Sequence, residues 1–315
     1  MTIEELKSYK GMGRKPEDFD LYWDNALKEM QALPLSYHLE EIYFPSKVAR
    51  AYHLTFIGVG GAKVHCQLHT PKETEGKLYK GMLQFHGYHT DSGDFSDKVG
   101  LVAEGFTVLS MDARGQGGPS EDNTKTSGGV MKGLIIRGVE EGKENLYYRR
   151  VFIDTAHAAR ILMSFPYVDR TDIYAQGASQ GGGLTIACAA LVPEVKKVLA
   201  VYPFLSDYRK AYELGAETSA FEELPYYFRF RDPLHKKEVE FFETLEYIDL
   251  QHLAPRIQAE VLWAVGMKDE VVPPVTQFAT FNKIRSKKEL LILPEYGHEY
   301  LPKISDEIRP FFFGE

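Results

Sequence analysis

Apolar and polar positions change period along this chain. Over residues 16–33, Phe19, Leu21, Tyr22, Ala26, Leu27 and Met30 recur at roughly helical spacing, which predicts an amphipathic helix ending before Pro34. Over residues 37–71 the pattern turns strand-like. The runs 51–56 and 64–68 are alternating or aromatic-rich, and they flank the turn Gly58-Val59-Gly60-Gly61, so antiparallel hairpins are expected there. From residue 80 onward, short apolar runs alternate with helical patterns. Strands are expected over 81–85, 106–111, 173–175, 198–201, 261–265 and 290–293, with helices between several of them, for instance over 151–165. Apolar strands alternating with helices imply a parallel sheet covered on both faces.

Two stretches interrupt this alternation. Residues 207–252 are rich in Tyr, Phe, Glu and Arg and contain no clear buried strand; they read as a helical insertion over a site, or as an interaction surface. Residues 115–144 carry many Gly, Ser, Thr and Lys, and a loop of that length inside a compact domain is usually functional or interfacial. No internal repeat and no clean linker is visible, so one domain over residues 1–315 is the expected organisation.

Composition adds limits. With 44% hydrophobic and 26% charged residues the chain is of ordinary globular type, and 315 residues suffice for one large α/β domain or two small ones. A net charge of -8 argues against a nucleic-acid partner, because phosphate binding needs basic patches. The two cysteines, Cys66 and Cys188, offer no disulfide framework and are expected to pack as small apolar residues. The first residues, Met1-Thr2-Ile3-Glu4-Glu5-Leu6, lack the basic and then apolar regions of a signal peptide. No apolar run approaches the roughly 20 residues that span a bilayer. No membrane partner and a cytoplasmic location are therefore expected.

The strongest chemical signal is Gly177-Ala178-Ser179-Gln180-Gly181, placed between the strand-like run 172–175 and the helix-like run 184–190. Strand, tight turn and helix are the context in which G-x-S-x-G forms a nucleophile elbow. Glycines on either side relieve the crowding of that turn, and the serine oxygen then stands beside a helix N-terminus, whose dipole favours developing negative charge. Hairpins first, a doubly wound parallel sheet second and an elbow within it are the layout of an α/β-hydrolase fold. A serine hydroxyl needs a base, and the base an orienting acid, which follow in the order serine, acid, histidine on that fold. Asp269 is the leading acid, because it follows the strand 261–265, and catalytic groups gather at the carboxyl ends of parallel strands. Its neighbour Glu270 is an alternative, Asp249 is a weaker one because it precedes the strand, and an Asp269 that merely caps the helix beginning near Pro274 is the plain reading. His298, in Pro294-Glu295-Tyr296-Gly297-His298-Glu299, is the base, since no other histidine follows Asp269.

An oxyanion hole needs two aimed donors. The backbone N–H of Gln180, directly after the nucleophile, is one. The run Phe85-His86-Gly87-Tyr88-His89 follows an earlier strand, and the N–H of Tyr88 is the natural second. His86 and His89 also resemble a metal pair, but no Cys or acidic ligand set accompanies them at a recognisable spacing, so no metal and no organic cofactor is expected. Arg114-Gly115-Gln116-Gly117-Gly118 lacks the Gly-Lys-Ser/Thr ending of a phosphate loop; Arg114 is expected to hold loops near the elbow, with a carboxylate as its partner.

Arg114-Gly115-Gln116-Gly117-Gly118, Gly177-Ala178-Ser179-Gln180-Gly181-Gly182 and His298-Glu299 together resemble the three signatures of carbohydrate esterase family seven, which contains acetyl xylan esterases and cephalosporin C deacetylases. His86-Gly87-Tyr88 is similar too, and the resemblance covers essentially the whole chain. It implies a serine esterase acting through Ser179, His298 and Asp269 on acetylated xylo-oligosaccharides, acetylated sugars and cephalosporin C. It also implies a homohexamer, a trimer of dimers whose sites face an internal cavity. A peptidase or dienelactone-type hydrolase on the same fold is the enzymatic alternative. A non-catalytic hydrolase-fold binding protein is the other, although such a protein is expected to lack a member of the triad.

Overall fold

The computed structural model describes residues 1–127, 133–215 and 220–314. At the N-terminus, α1 (Ile3–Ser8) is closed by a capping box in which the Thr2 side chain accepts from the Glu5 amide and Glu5 answers the Thr2 amide. The sequence pattern over 16–33 becomes α2 (Phe19–Gln31), whose inward face is Phe19, Tyr22, Trp23, Ala26 and Met30. That i, i+3, i+4, i+7 spacing turns Asp20, Asp24 and Lys28 to solvent, and Leu21, expected on the apolar face, is exposed with them.

Three antiparallel strands follow: β1 (Tyr37–Glu41), β2 (Ala49–Ile57) and β3 (Lys63–Pro71). The rest of the sheet is β4 (Tyr79–Phe85), β5 (Phe106–Met111), β6 (Val168–Ala178), β7 (Val195–Val201), β8 (Glu260–Gly266) and β9 (Lys288–Leu293). The nine strands lie in the order β1-β2-β3-β5-β4-β6-β7-β8-β9. β3 pairs antiparallel with β5, and every pairing from β5 through β9 is parallel. This is an α/β-hydrolase fold, with the hairpins at one edge of a mostly parallel sheet.

Both faces of the parallel strands are covered, because successive side chains point to opposite sides. Leu83, Phe85, Ala175 and Ala200 pack with α4 (Tyr147–Leu162) and α5 (Gln180–Leu191) in the larger core, which also takes in α2. Met82, Val108, Tyr174 and Leu199 pack with Val102 of α3 (Val99–Ala103) and Phe312 of α11 (Ile304–Phe313) in the smaller one. Helix α5 is buried on every side, which is why its sequence is apolar all round rather than amphipathic. Cys66 and Cys188 are buried free thiols in these layers.

Several boundaries differ from the pattern, and most of the expected strands extend beyond their apolar runs. The strand expected over 173–175 is β6, running from Val168 to Ala178; its exposed start, with Arg170 and Thr171, carries no apolar run. The helix expected over 151–165 begins at Tyr147 and ends at Leu162. That over 16–33 loses three residues at its start and two at its end, since α2 runs from Phe19 to Gln31. Within 207–252 the described residues form α6 (Tyr208–Glu213), α7 (Glu223–Phe230), α8 (Glu238–Leu245) and α9 (Leu250–Leu253), with no strand among them. Helix α10 (Pro274–Phe281) precedes β9. Within 115–144 only the single turns Val139–Glu141 and the start of Lys143–Asn145 are helical among the described residues. Parts of both stretches, 128–132 and 216–219, lie outside the described residues. No helix among the described residues is long and apolar enough to cross a membrane.

Candidate active site

β6 hands the chain to α5 through one residue. Ser179 has φ 57° and ψ -121°, a conformation costly for a side chain bearing a Cβ. The backbone is held there by Ser179 N donating to Val201 O (2.9 Å) and by Ser179 O accepting from the amides of Phe204 and Gly183 (each 3.0 Å). The flanking glycines answer to sterics. A Cβ on Gly181 would lie 2.0 Å from the Phe85 carbonyl oxygen, and one on Gly177 would lie 2.4 Å from the Gly181 backbone. Both contacts are with backbone that cannot swing aside, so the motif's glycines permit β4, β6 and α5 to meet.

The structure brings the three predicted triad residues together. Ser179 Oγ lies 2.9 Å from His298 Nε2, and His298 Nδ1 lies 2.8 Å from Asp269 Oδ2. Asp269 has a fully buried side chain, and its other oxygen accepts the amides of Val271 (3.0 Å) and Val272 (2.7 Å). Asp269 does not cap the helix that begins at Pro274, whose N-cap is Pro273 with no side-chain bond; one carboxylate oxygen closes the turn before that helix and the other faces His298. Glu270 is exposed, and Asp249 caps α9 by accepting from the Gln251 amide, so neither alternative is the partner of His298. The loops bearing the acid and the base are stitched together. Lys268 N donates to Tyr296 O (2.9 Å), Met267 N to Leu293 O (3.1 Å), and a Cβ on Gly266 would lie 2.5 Å from the carbonyl oxygens of Tyr296 and Gly297. The Tyr202 ring lies 4.3 Å from the imidazole of His298 and gives it an aromatic wall.

The loop after β4 stands over the start of α5. Gln180 is the first residue of that helix, so its amide has no intrahelical acceptor and is free to point outward. His86 spends both nitrogens on backbone: Nε2 accepts from Ala113 N (2.9 Å) and Nδ1 faces Gly87 O (2.7 Å), which fixes the proton on Nδ1. Burial lowers its pKa, in keeping with a neutral ring. His89 takes a left-handed conformation (φ 64°) with its ring against Tyr88. No group of three or more His, Cys, Asp or Glu among the described residues is placed to hold a metal ion.

Sequence reasoning missed the side chains that tie these loops. Gln116 and Gln180 pair their amides (2.8 and 3.1 Å), and Gln180 Oε1 also accepts from the Tyr148 hydroxyl (2.8 Å). Gln116 Oε1 accepts the His89 amide (2.8 Å), while its Nε2 donates to Tyr147 (2.9 Å). Both glutamines lie within motifs, but nothing local in sequence pairs residues 64 positions apart.

Arg114 is fully buried and meets the carboxylate expected for it, that of Asp154 in α4, through two hydrogen bonds (2.5 and 2.8 Å), with a third to Val59 O (2.8 Å). Burial works against the guanidinium charge, but Asp154 outweighs it and the Arg114 pKa is raised. Arg114→Met should cost about 3–5 kcal/mol, because it strands a buried carboxylate, and adding Asp154→Leu should restore most of the loss. Urea unfolding midpoints of the single and double variants check this.

Comparison with known proteins agrees with the geometry. The model of the acetyl xylan esterase (AXE1) family matches residues 1–314. Acetyl xylan esterase 1 from Thermoanaerobacterium sp. JW/SL YS485 is 44% identical, with a TM-score of 0.96 over 99% of this chain and 98% of that one. An acetyl xylan esterase from Paenibacillus sp. R4 is 32% identical, with a TM-score of 0.94 over 99% of both chains. The acetyl esterase Axe7A of Xylanibacter ruminicola is 28% identical over 301 residues, which are 94% of this chain; the match spans 65% of that curated relative's length. A family match along almost the entire chain, together with solved relatives of the same length, leaves one conclusion: this chain belongs to the acetyl xylan esterase family.

Proposed function

We propose that this protein is a serine esterase that removes acetyl groups from acetylated xylo-oligosaccharides and other small acetyl esters, cephalosporin C among them. The observation that carries the reading is the continuous line from Asp269 Oδ2 through both nitrogens of His298 to Ser179 Oγ, at 2.8 and 2.9 Å, on the elbow. His298 Nε2 takes the Ser179 proton as Oγ attacks the acetyl carbonyl. Asp269 keeps the other imidazole proton on Nδ1 and stabilises the imidazolium that forms. The carbonyl oxygen becomes an oxyanion held by the amides of Tyr88 and Gln180, at the N-terminus of α5. His298 then protonates the leaving sugar oxygen as the C–O bond breaks, leaving acetate esterified to Ser179. Water gives its proton to His298, attacks the acyl-enzyme, and acetate leaves as the proton returns to Ser179. Every proton moves through one imidazole, and no cofactor enters this scheme.

The names of the relatives support the acetyl group and the xylan-derived alcohol as substrate parts. The resemblance to carbohydrate esterase family seven supports cephalosporin C as a substrate and a homohexamer. We also read the chain as one domain in which 207–252 is an insertion. Acetate release from acetylated xylo-oligosaccharides, acetylated monosaccharides and cephalosporin C, with peptide anilides as controls, tests the reading. Release from the acetyl esters and none from the anilides is expected. Anilide cleavage without acetate release would replace it with a peptidase.

A further inference from the structure

Glu223 is a buried carboxyl in α7, within the helical stretch 207–252, and the scheme above gives it no part. Its surroundings are specific. Oε1 accepts the Tyr88 hydroxyl at 2.6 Å, and Oε2 accepts the Ile136 amide at 3.1 Å. The Ile135 amide also donates to it. The Tyr88 oxygen in turn accepts the Leu134 amide at 3.2 Å. The segment 134–136 is buried, and a Cβ on Gly133 would lie 2.2 Å from Glu223 Oε2, so this stretch of the long loop wraps closely around the carboxylate. Three parts of the chain far apart in sequence thus meet at one carboxyl group.

We propose that Glu223 is a positioning residue for the oxyanion hole: through the Tyr88 phenol it holds the loop after β4, and so aims the Tyr88 backbone amide. The inference rests on the proposed serine esterase activity. The loop is held on one side by Gln116, which accepts the His89 amide, and by His86, which faces Gly87 O. Glu223 holds it through the side chain of the donor residue itself. An O–H···O⁻ contact of this length is among the stronger hydrogen bonds, and amides donating to the same carboxylate further favour its charged form. Placing a donor only slightly wrong is costly, because it must meet the oxygen as charge develops.

The carboxyl also sets when that hold is strong. Burial raises the Glu223 pKa to about 7, against the opposing hydrogen bonds from Tyr88, Ile136 and Ile135. The other titratable groups facing it are its neighbour Glu222, Tyr148 of α4 and Tyr208 of α6. The sign follows directly: above about pH 7 the carboxylate is ionised and the charge-assisted bond to Tyr88 is present, and below it the group is neutral and the hold weakens.

The test is turnover of p-nitrophenyl acetate by wild type, Glu223→Gln, Tyr88→Phe and the double variant. Gln keeps the shape but presents an amide N–H₂ to groups that donate; Phe removes the same bond from the other end and leaves the backbone amide. Each single change should lower kcat about 10- to 100-fold with little change in KM. The double variant should be no slower than the slower single one, since both remove one interaction. The acid limb of the wild-type kcat profile should carry an ionisation near pH 7 that Glu223→Gln lacks. Wild-type kcat in both single variants, or losses that multiply in the double, would overturn the inference. If wild type and Ser179→Ala turn over no ester at all, the esterase reading is what has failed. Amide hydrogen exchange over residues 85–90 then decides the positioning role: faster exchange in Glu223→Gln and Tyr88→Phe supports it, and unchanged exchange refutes it.

Discussion

Ser179→Ala should lower kcat for acetate release by about a million-fold, to the residual catalysis that binding and the oxyanion donors supply alone. The size follows from what is lost. Without Oγ no acyl-enzyme forms, and His298 has no nucleophile at 2.9 Å to deprotonate. The fold should be untouched. The strained turn is held by backbone bonds to Val201, Phe204 and Gly183, none of which uses the serine side chain. Circular dichroism and the unfolding midpoint should therefore match wild type. Comparable activity in a folded Ser179→Ala protein would remove the serine from the chemistry.

Asp269→Asn should cost about ten-thousand-fold in kcat, although it changes one atom. The reason is specific to this site. One oxygen of Asp269 already accepts the amides of Val271 and Val272. An asparagine would keep its carbonyl oxygen there, because its N–H₂ cannot accept from two donors. The N–H₂ group would then face His298 Nδ1 and force that nitrogen to be an acceptor. The neutral ring would carry its proton on Nε2, pointing at Ser179, and could not take the serine proton. kcat/KM for an acetyl ester, measured beside the unfolding midpoint, checks this. A loss of less than about tenfold would mean that Asp269 does no more than cap the turn before α10.

Much of this architecture is legible in the sequence because its signals are local. The central strands are short apolar runs, since both faces of the sheet are covered. The elbow announces itself because only glycine can stand where Gly177 and Gly181 meet the backbone of β4 and α5. The order serine, acid, histidine, with His298 the last histidine in the chain, points to the triad without any distances. The start of β6 is hidden because Arg170 and Thr171 face solvent. Helix α1 has a readable capping box, but with six residues it is too short for periodicity to register.

Long-range pairings are the part that sequence does not carry. A carboxylate partner for Arg114 was expected, yet naming Asp154 needed the fold. The trace it leaves is a single charge in the apolar stretch Val151-Phe152-Ile153-Asp154-Thr155-Ala156. Glu223 leaves less, because it follows Glu222 in a segment dense with acids and aromatics, where nothing marks one of them as buried. The strand order, with β5 between β3 and β4, likewise arises from pairing rather than pattern.

The most direct test of the central claim is to acid-quench the enzyme during steady-state turnover of p-nitrophenyl acetate and map acetylation by peptide mass spectrometry. One acetyl group on Ser179, absent without substrate and absent in Ser179→Ala, is the predicted result. Continued turnover with no acetyl on Ser179, when the quench traps a slow-deacylating control ester, would contradict a serine acyl-enzyme.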